Sequence, residues 1–164
     1  MNSEYAKLYD PEDRSVMKIA EDALNPREDR VNEIILYAKE AGIKRIGIAN
    51  CIVFEREADE LELLLTSDNF SVYRANCKLG RMPFDDILSG YKGVSCNPAG
   101  QAMVLADSGT ELNVVMGLCL GHDMVFYKKS QAWTTTLLIK DRKPEHHTLQ
   151  RFDAYHESNP SIQV

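Results

Sequence analysis

The chemistry available to this sequence lies chiefly in four cysteines, Cys51, Cys77, Cys96 and Cys119. A thiolate is both a nucleophile and a soft metal ligand, and three or four of them meeting at one point suit zinc or an iron–sulfur cluster, both of which select soft donors. No CxxC pair is present, and the gaps of 26, 19 and 23 residues match no zinc-finger or ferredoxin signature, so only a site assembled by the fold remains. Around the last cysteine, Gly117-Leu118-Cys119-Leu120-Gly121-His122-Asp123 adds His122 as a further ligand or proton donor. The two glycines let the backbone come close to a bound group. Cys96 stands just before Asn97-Pro98, where the positive end of a helix would lower the pKa of its thiol. Asp123 reads as a helix N-cap, His146 and His147 as solvated residues of a polar tail, and Lys140-Asp141-Arg142 as a solvated turn.

The elements that must position these residues follow from periodicity. Helical spacing of apolar residues predicts helices over Asp13 to Leu24, Arg27 to Ala41 and Glu55 to Thr66, with Gly42 ending the second. Short apolar runs predict strands over Arg45 to Ala49, Phe70 to Ala75, Leu112 to Leu118 and Thr134 to Ile139. Asn97 and Pro98 start a helix running to about Asp107, and Asp123 caps a short one through Phe126 and Lys128. Between Lys78 and Ser95 the periodicity is lost, and Gly80, Gly90, Gly93 and Pro83 mark a long connection with a short helix around Phe84 to Leu88. Helices alternating with strands imply right-handed βαβ units. The expected fold is a doubly wound α/β domain, Rossmann-like or flavodoxin-like, with three layers and a mainly parallel sheet of at least four strands.

Such sheets bind ligands in the crevice beyond the carboxyl ends of their strands. Ala49-Asn50-Cys51 and Ala75-Asn76-Cys77 echo each other at two successive strand ends, Cys119 follows a third, and Cys96 precedes a helix starting on the same side. Each cysteine alone reads as a core-filling residue. All four on one edge read as a site.

The bulk properties bound the reading. A chain of 164 residues fits one domain, with residues 1–26 as an N-terminal helical extension and 143–164 as a polar C-terminal tail. No run is long and apolar enough to span a bilayer, and the opening MNSEYAKLYDPEDR has no secretory pattern, so a cytoplasmic protein without membrane association is expected. A net charge of −6 provides no footprint for nucleic acid. A small molecule or a redox partner is the expected kind of partner.

At the residues EAGIKRIGIANC, CKLG, CNPAGQAMVLADSGTELNVVMGLCLGHDMVF and TTTLLIKDR, the sequence resembles an uncharacterised prokaryotic family, a domain of unknown function commonly labelled metal-binding. The resemblance runs roughly from Val31 to Arg142, and CNP and GLCLGHD are its most specific pieces. It implies a cysteine-based metal site carried by Cys51, Cys77, Cys96 and Cys119, with His122 and Asn97 nearby, and supplies no reaction. Many members carry a cysteine-rich segment ahead of this domain, whereas Met1 to Asn50 here contain no cysteine.

Three functions are consistent with these residues. The first is a metalloprotein whose cysteines hold an iron–sulfur cluster or zinc for redox or sulfur chemistry. The second is a metal-free thiol enzyme with Cys96 or Cys119 as nucleophile and His122 as base. The third is a small-molecule-binding module in which the 78–95 connection closes over the ligand. No GxGxxG or GxxxxGK[ST] follows a predicted strand, so dinucleotide and P-loop readings lack support.

Overall fold

The computed structural model describes residues 2–143 and 145–153, so Pro144 and residues 154–164 of the expected tail lie outside the described residues. Strands β1 (Arg45–Asn50), β2 (Ser71–Asn76), β3 (Leu112–Met116) and β4 (Trp133–Leu138) form one wholly parallel sheet in the order β2-β1-β3-β4. Among the described residues the helices that accompany them include α1 (Asn2–Tyr5), α2 (Pro11–Ala23), α3 (Arg30–Glu40), α4 (Glu55–Ser67), α5 (Pro98–Asp107) and α6 (His122–Lys129). Each boundary has a local cause. Asp10 caps α2 by accepting from the Glu12 and Asp13 N–H groups, Asp29 caps α3 through Val31 and Asn32, and Asn97 caps α5 through Gly100. The 78–95 connection contains two short 3-10 turns, Leu79–Arg81 and Phe84–Asp86, the second falling where a short helix around Phe84 to Leu88 is expected.

The strands alternate their side chains between two cores, which is what makes the architecture three-layered. Ile46 and Ile48 of β1 face Ile34, Ile35 and Ala38 of α3 and Ala58, Leu61 and Leu65 of α4. Ala49 and Ala75 face the other way, toward Ala102 and Leu105 of α5 and Phe126 of α6. The central strands β1 and β3 are buried almost throughout, as parallel strands covered on both faces must be. Gly47 is required on the second face, because a Cβ there would strike the Asn113 side chain. β1 and β3 lie side by side yet feed helices on opposite faces, which opens a crevice between their carboxyl ends. No described helix is long and apolar enough to cross a membrane.

Candidate thiol site at the carboxyl edge

Parallel pairing brings the first two cysteines together. Asn50 and Asn76 are register partners at the last rung of β1 and β2, so Cys51 and Cys77 leave the sheet side by side. Both are only 2% exposed, and the Cys77 thiol donates to Cys51 Sγ at 3.8 Å. The Cys51 N–H bonds to Met116 O at 3.0 Å, extending the β1–β3 ladder by one step. On the β2 side, the Asn97 N–H bonds to Cys77 O at 2.8 Å, which docks the start of α5, and Cys96 with it, against the pair. Cys96 is half-buried and packs on the same apolar cluster as Cys51 and Cys77. On the β3 side, Cys119 is half-buried in the loop entering α6.

Two cations complete the arrangement. Lys140 and Arg142 follow β4, and the sequence reads them as a solvated turn. The structure corrects this: Lys140 Nζ lies 2.9 Å from Cys51 Sγ and Arg142 Nη2 lies 3.4 Å from Cys119 Sγ. The two most buried thiols are shifted in opposite directions. Cys51 is lowered to about 4, chiefly by the hydrogen bond from Cys77, with Lys140 and the Val53 backbone assisting against the cost of burial. Cys77 is pushed up by that same bond, by burial and by the charges of Cys51 and Cys96. Burial works against the Lys140 charge, but the bond to Cys51 and the charges of Cys51 and Cys119 more than offset it, so its pKa is raised.

The supporting residues are buried amides and a folded-back segment. Asn50 and Gln101 are each 0% exposed. Asn50 Nδ2 donates to Cys51 O and to Glu55 Oε2, and Gln101 Nε2 donates to Asn50 O at 3.2 Å and Ala75 O at 2.6 Å. Asn50 Oδ1 and Gln101 Oε1 have no donor among the described residues. Gly117, at φ 65°, turns the chain out of β3, and a side chain there would overlap the Phe54 ring. His146, expected to be solvated, packs tilted against Phe54 with ring centroids 4.7 Å apart and accepts from the Asp141 N–H. The residues that periodicity and spacing did not reveal are thus Asn50, Phe54, Gln101, Lys140, Arg142 and His146. Lys140 alone had a usable signal: the edge rule that singles out the other strand ends, applied to the end of β4.

The remaining expected residues divide. Asn97 is at the site, but as the α5 cap and the link to Cys77. Asp123 is not an N-cap, because Gly121 occupies that place; its carboxylate accepts from the Gly121 and Met124 N–H groups within the first turn. His122 opens α6 with its N–H on Cys119 O. Among the described residues no three Cys, His, Asp or Glu side chains are gathered closely enough to hold a metal ion as they stand. The donor chemistry of the pair nevertheless fits a thiophilic metal. Two sulfurs bound tetrahedrally at about 2.3 Å lie about 3.8 Å apart, the separation found between Cys51 and Cys77. A cavity of about 330 Å³ lined by α2, α3, Leu112 and Trp133 lies at the opposite, amino-terminal end of the strands.

Comparison with known proteins gives a family and no activity. The uncharacterized protein MJ0455 of Methanocaldococcus jannaschii is 44% identical, in a match covering 74% of this chain and 65% of that protein. The crystal structure of Dph2 from Pyrococcus horikoshii is similar over 80% of this chain and 33% of that one, with a TM-score of 0.43 and 16% identity. Residues 1–137 match a family described as protein of unknown function (DUF1847), a span that takes in the N-terminal helices as well as the sheet. With most of its length matched, this chain belongs to that family of unknown function.

Proposed function

We propose that this protein holds a thiophilic metal centre, zinc or an iron–sulfur cluster, through Cys51, Cys77, Cys96 and Cys119 at the carboxyl edge of its sheet. The observation that carries this reading is the 3.8 Å separation of the Cys51 and Cys77 sulfurs, which suits two ligands of one tetrahedral ion. Charge supports it independently. Four thiolates around a dication carry two net negative charges, and Lys140 and Arg142 supply two positive ones against the sulfurs. Cys96 and Cys119 close on the pair by movement of the loops that carry them.

Bound there, the centre would supply redox or sulfur chemistry. The chain's own residues would tune it: N–H groups of Lys140 and Arg142 hydrogen-bond to sulfur, while the buried wall of Phe54, Leu118 and Phe126 excludes water. A reducing compartment, the cytoplasm, suits four free thiols. The test is metal and sulfide analysis of protein purified and reconstituted without oxygen. About one ion or cluster per chain is expected, and Cys51→Ser and Cys77→Ser should each bind it more weakly, with one sulfur ligand fewer. Folded wild-type protein with well under one equivalent of zinc and of iron would overturn the proposal.

A second reading rests on Lys140. An ammonium against a sulfur favours a thiolate nucleophile, and it assigns that role to Cys51 rather than to Cys96 or Cys119 with His122. Alkylation of the metal-free protein separates the readings. One fast-reacting cysteine points to the nucleophile, whereas protection of all four by added metal points to the centre.

A further inference from the structure

We infer that Gln101 is a positioning residue whose buried amide sets the separation of the Cys51–Cys77 pair. The inference extends the proposed thiol site, although its first test needs no metal. Gln101 lies one turn into α5, on the face that packs against the sheet, and its near neighbours in that core are apolar: Ala102, Leu105, Ala49 and Ala75. A Met or Leu of similar size would fill the space without bringing a polar group out of water. The amide is retained at a cost that its own bonding only partly offsets, because Oε1 meets no donor among the described residues.

What the amide gains is a bridge. Nε2 donates to the carbonyl just before Cys51 and to the carbonyl two residues before Cys77, which belong to neighbouring strands. Turning the amide round would set Oε1 against both carbonyl oxygens, so the orientation is fixed by those two acceptors. The helix that supplies Gln101 starts at Asn97, whose N–H holds Cys77 O, and Cys96 immediately precedes it. One side chain thus ties together the chain positions of three thiols. In adjacent strands about 4.8 Å apart, the next pair beyond the last rung is also within the Cα separation that a disulfide tolerates. The ease of closing that bond therefore reports how the pair is held.

The experiment uses Cys96→Ala/Cys119→Ala protein, in which two thiols reduce one oxidised glutathione to two reduced glutathione molecules as the Cys51–Cys77 disulfide forms. The equilibrium constant is read by mass spectrometry across glutathione ratios. Gln101→Met is expected to lower it at least tenfold, with Gln101→Leu as the second variant should the first not fold. Leu65→Ala, which destabilises the opposite face of the sheet, controls for general loosening and is expected to leave the constant within about twofold. In the four-cysteine protein, Gln101→Met should also weaken cobalt(II) binding at least tenfold and alter its thiolate charge-transfer spectrum. An equilibrium constant unchanged by Gln101→Met or Gln101→Leu, or lowered equally by Leu65→Ala, overturns the positioning role. Wild-type protein that binds no cobalt while its disulfide equilibrium still depends on Gln101 would remove the metal reading and leave the positioning role standing.

Discussion

Raising the pH from 5 to 8 should stabilise the metal-free, reduced protein, and Cys51 is the reason. Its thiol is lowered to about 4 in the fold, against an ordinary value near 9 in the unfolded chain. Its contribution is therefore fully present above the unfolded value, shrinks as pH falls below it, and is gone once pH drops through about 4. Between these limits the unfolded chain binds one more proton than the folded one, which gives a slope of about 1.4 kcal/mol per pH unit. Cys77, whose value is raised, works the other way above pH 9, where only the unfolded chain releases its proton. The pair's own contribution to stability is therefore largest near pH 9. Lys140→Met removes an ammonium 2.9 Å from the sulfur and should raise the Cys51 value by about 1 to 3 units, costing roughly 1.4–4 kcal/mol at pH 8. The hydrogen bond from Cys77 would remain, so the effect should not be erased entirely. Urea unfolding at a series of pH values, with reductant and chelator present, measures this, and Cys51→Ser supplies the reference profile. Wild type and Cys51→Ser with the same pH slope, or Lys140→Met running parallel to wild type from pH 4 to 8, would refute the reasoning.

Gly117→Ala should destabilise the protein by about 2 kcal/mol or more in urea, since it puts a side chain at positive φ and into the Phe54 ring. Asn97→Ala removes the acceptor for Gly100 N–H and should cost about 1 kcal/mol; because it also releases Leu79 O, the start of the 78–95 connection should gain amide hydrogen exchange. Leu65→Ala empties a fully buried position between α4 and the sheet and should cost roughly 2–5 kcal/mol by equilibrium denaturation, with metal stoichiometry unchanged.

The fold was legible because β1 and β3 are short apolar runs bounded by turn residues, while α3 and α4 keep an apolar stripe facing the sheet. The repeated Ala-Asn-Cys announced the Cys51–Cys77 pair, since two strand ends of the same composition in register deliver their next residues to the same height. Sequence alone did not show that these strands are neighbours, which depends on the order β2-β1-β3-β4. Cys119 was expected directly at a strand end, but Gly117 turns the chain away two residues sooner, so this thiol stands on a loop and meets Arg142. Arg142 was hidden because a charged turn after a strand looks the same whether it faces water or sulfur, and for Lys140 only its place at the end of β4 carried a signal. Gln101 lies among apolar residues of a helix, and its partners are backbone carbonyls, which leave no trace in residue type.

X-ray absorption at the metal edge of anaerobically prepared protein tests the central claim most directly. The account expects a shell of about four sulfur atoms near 2.3 Å, reduced in number by Cys51→Ser or Cys77→Ser. A shell made only of nitrogen and oxygen neighbours, or a metal whose surroundings ignore both substitutions, would contradict it.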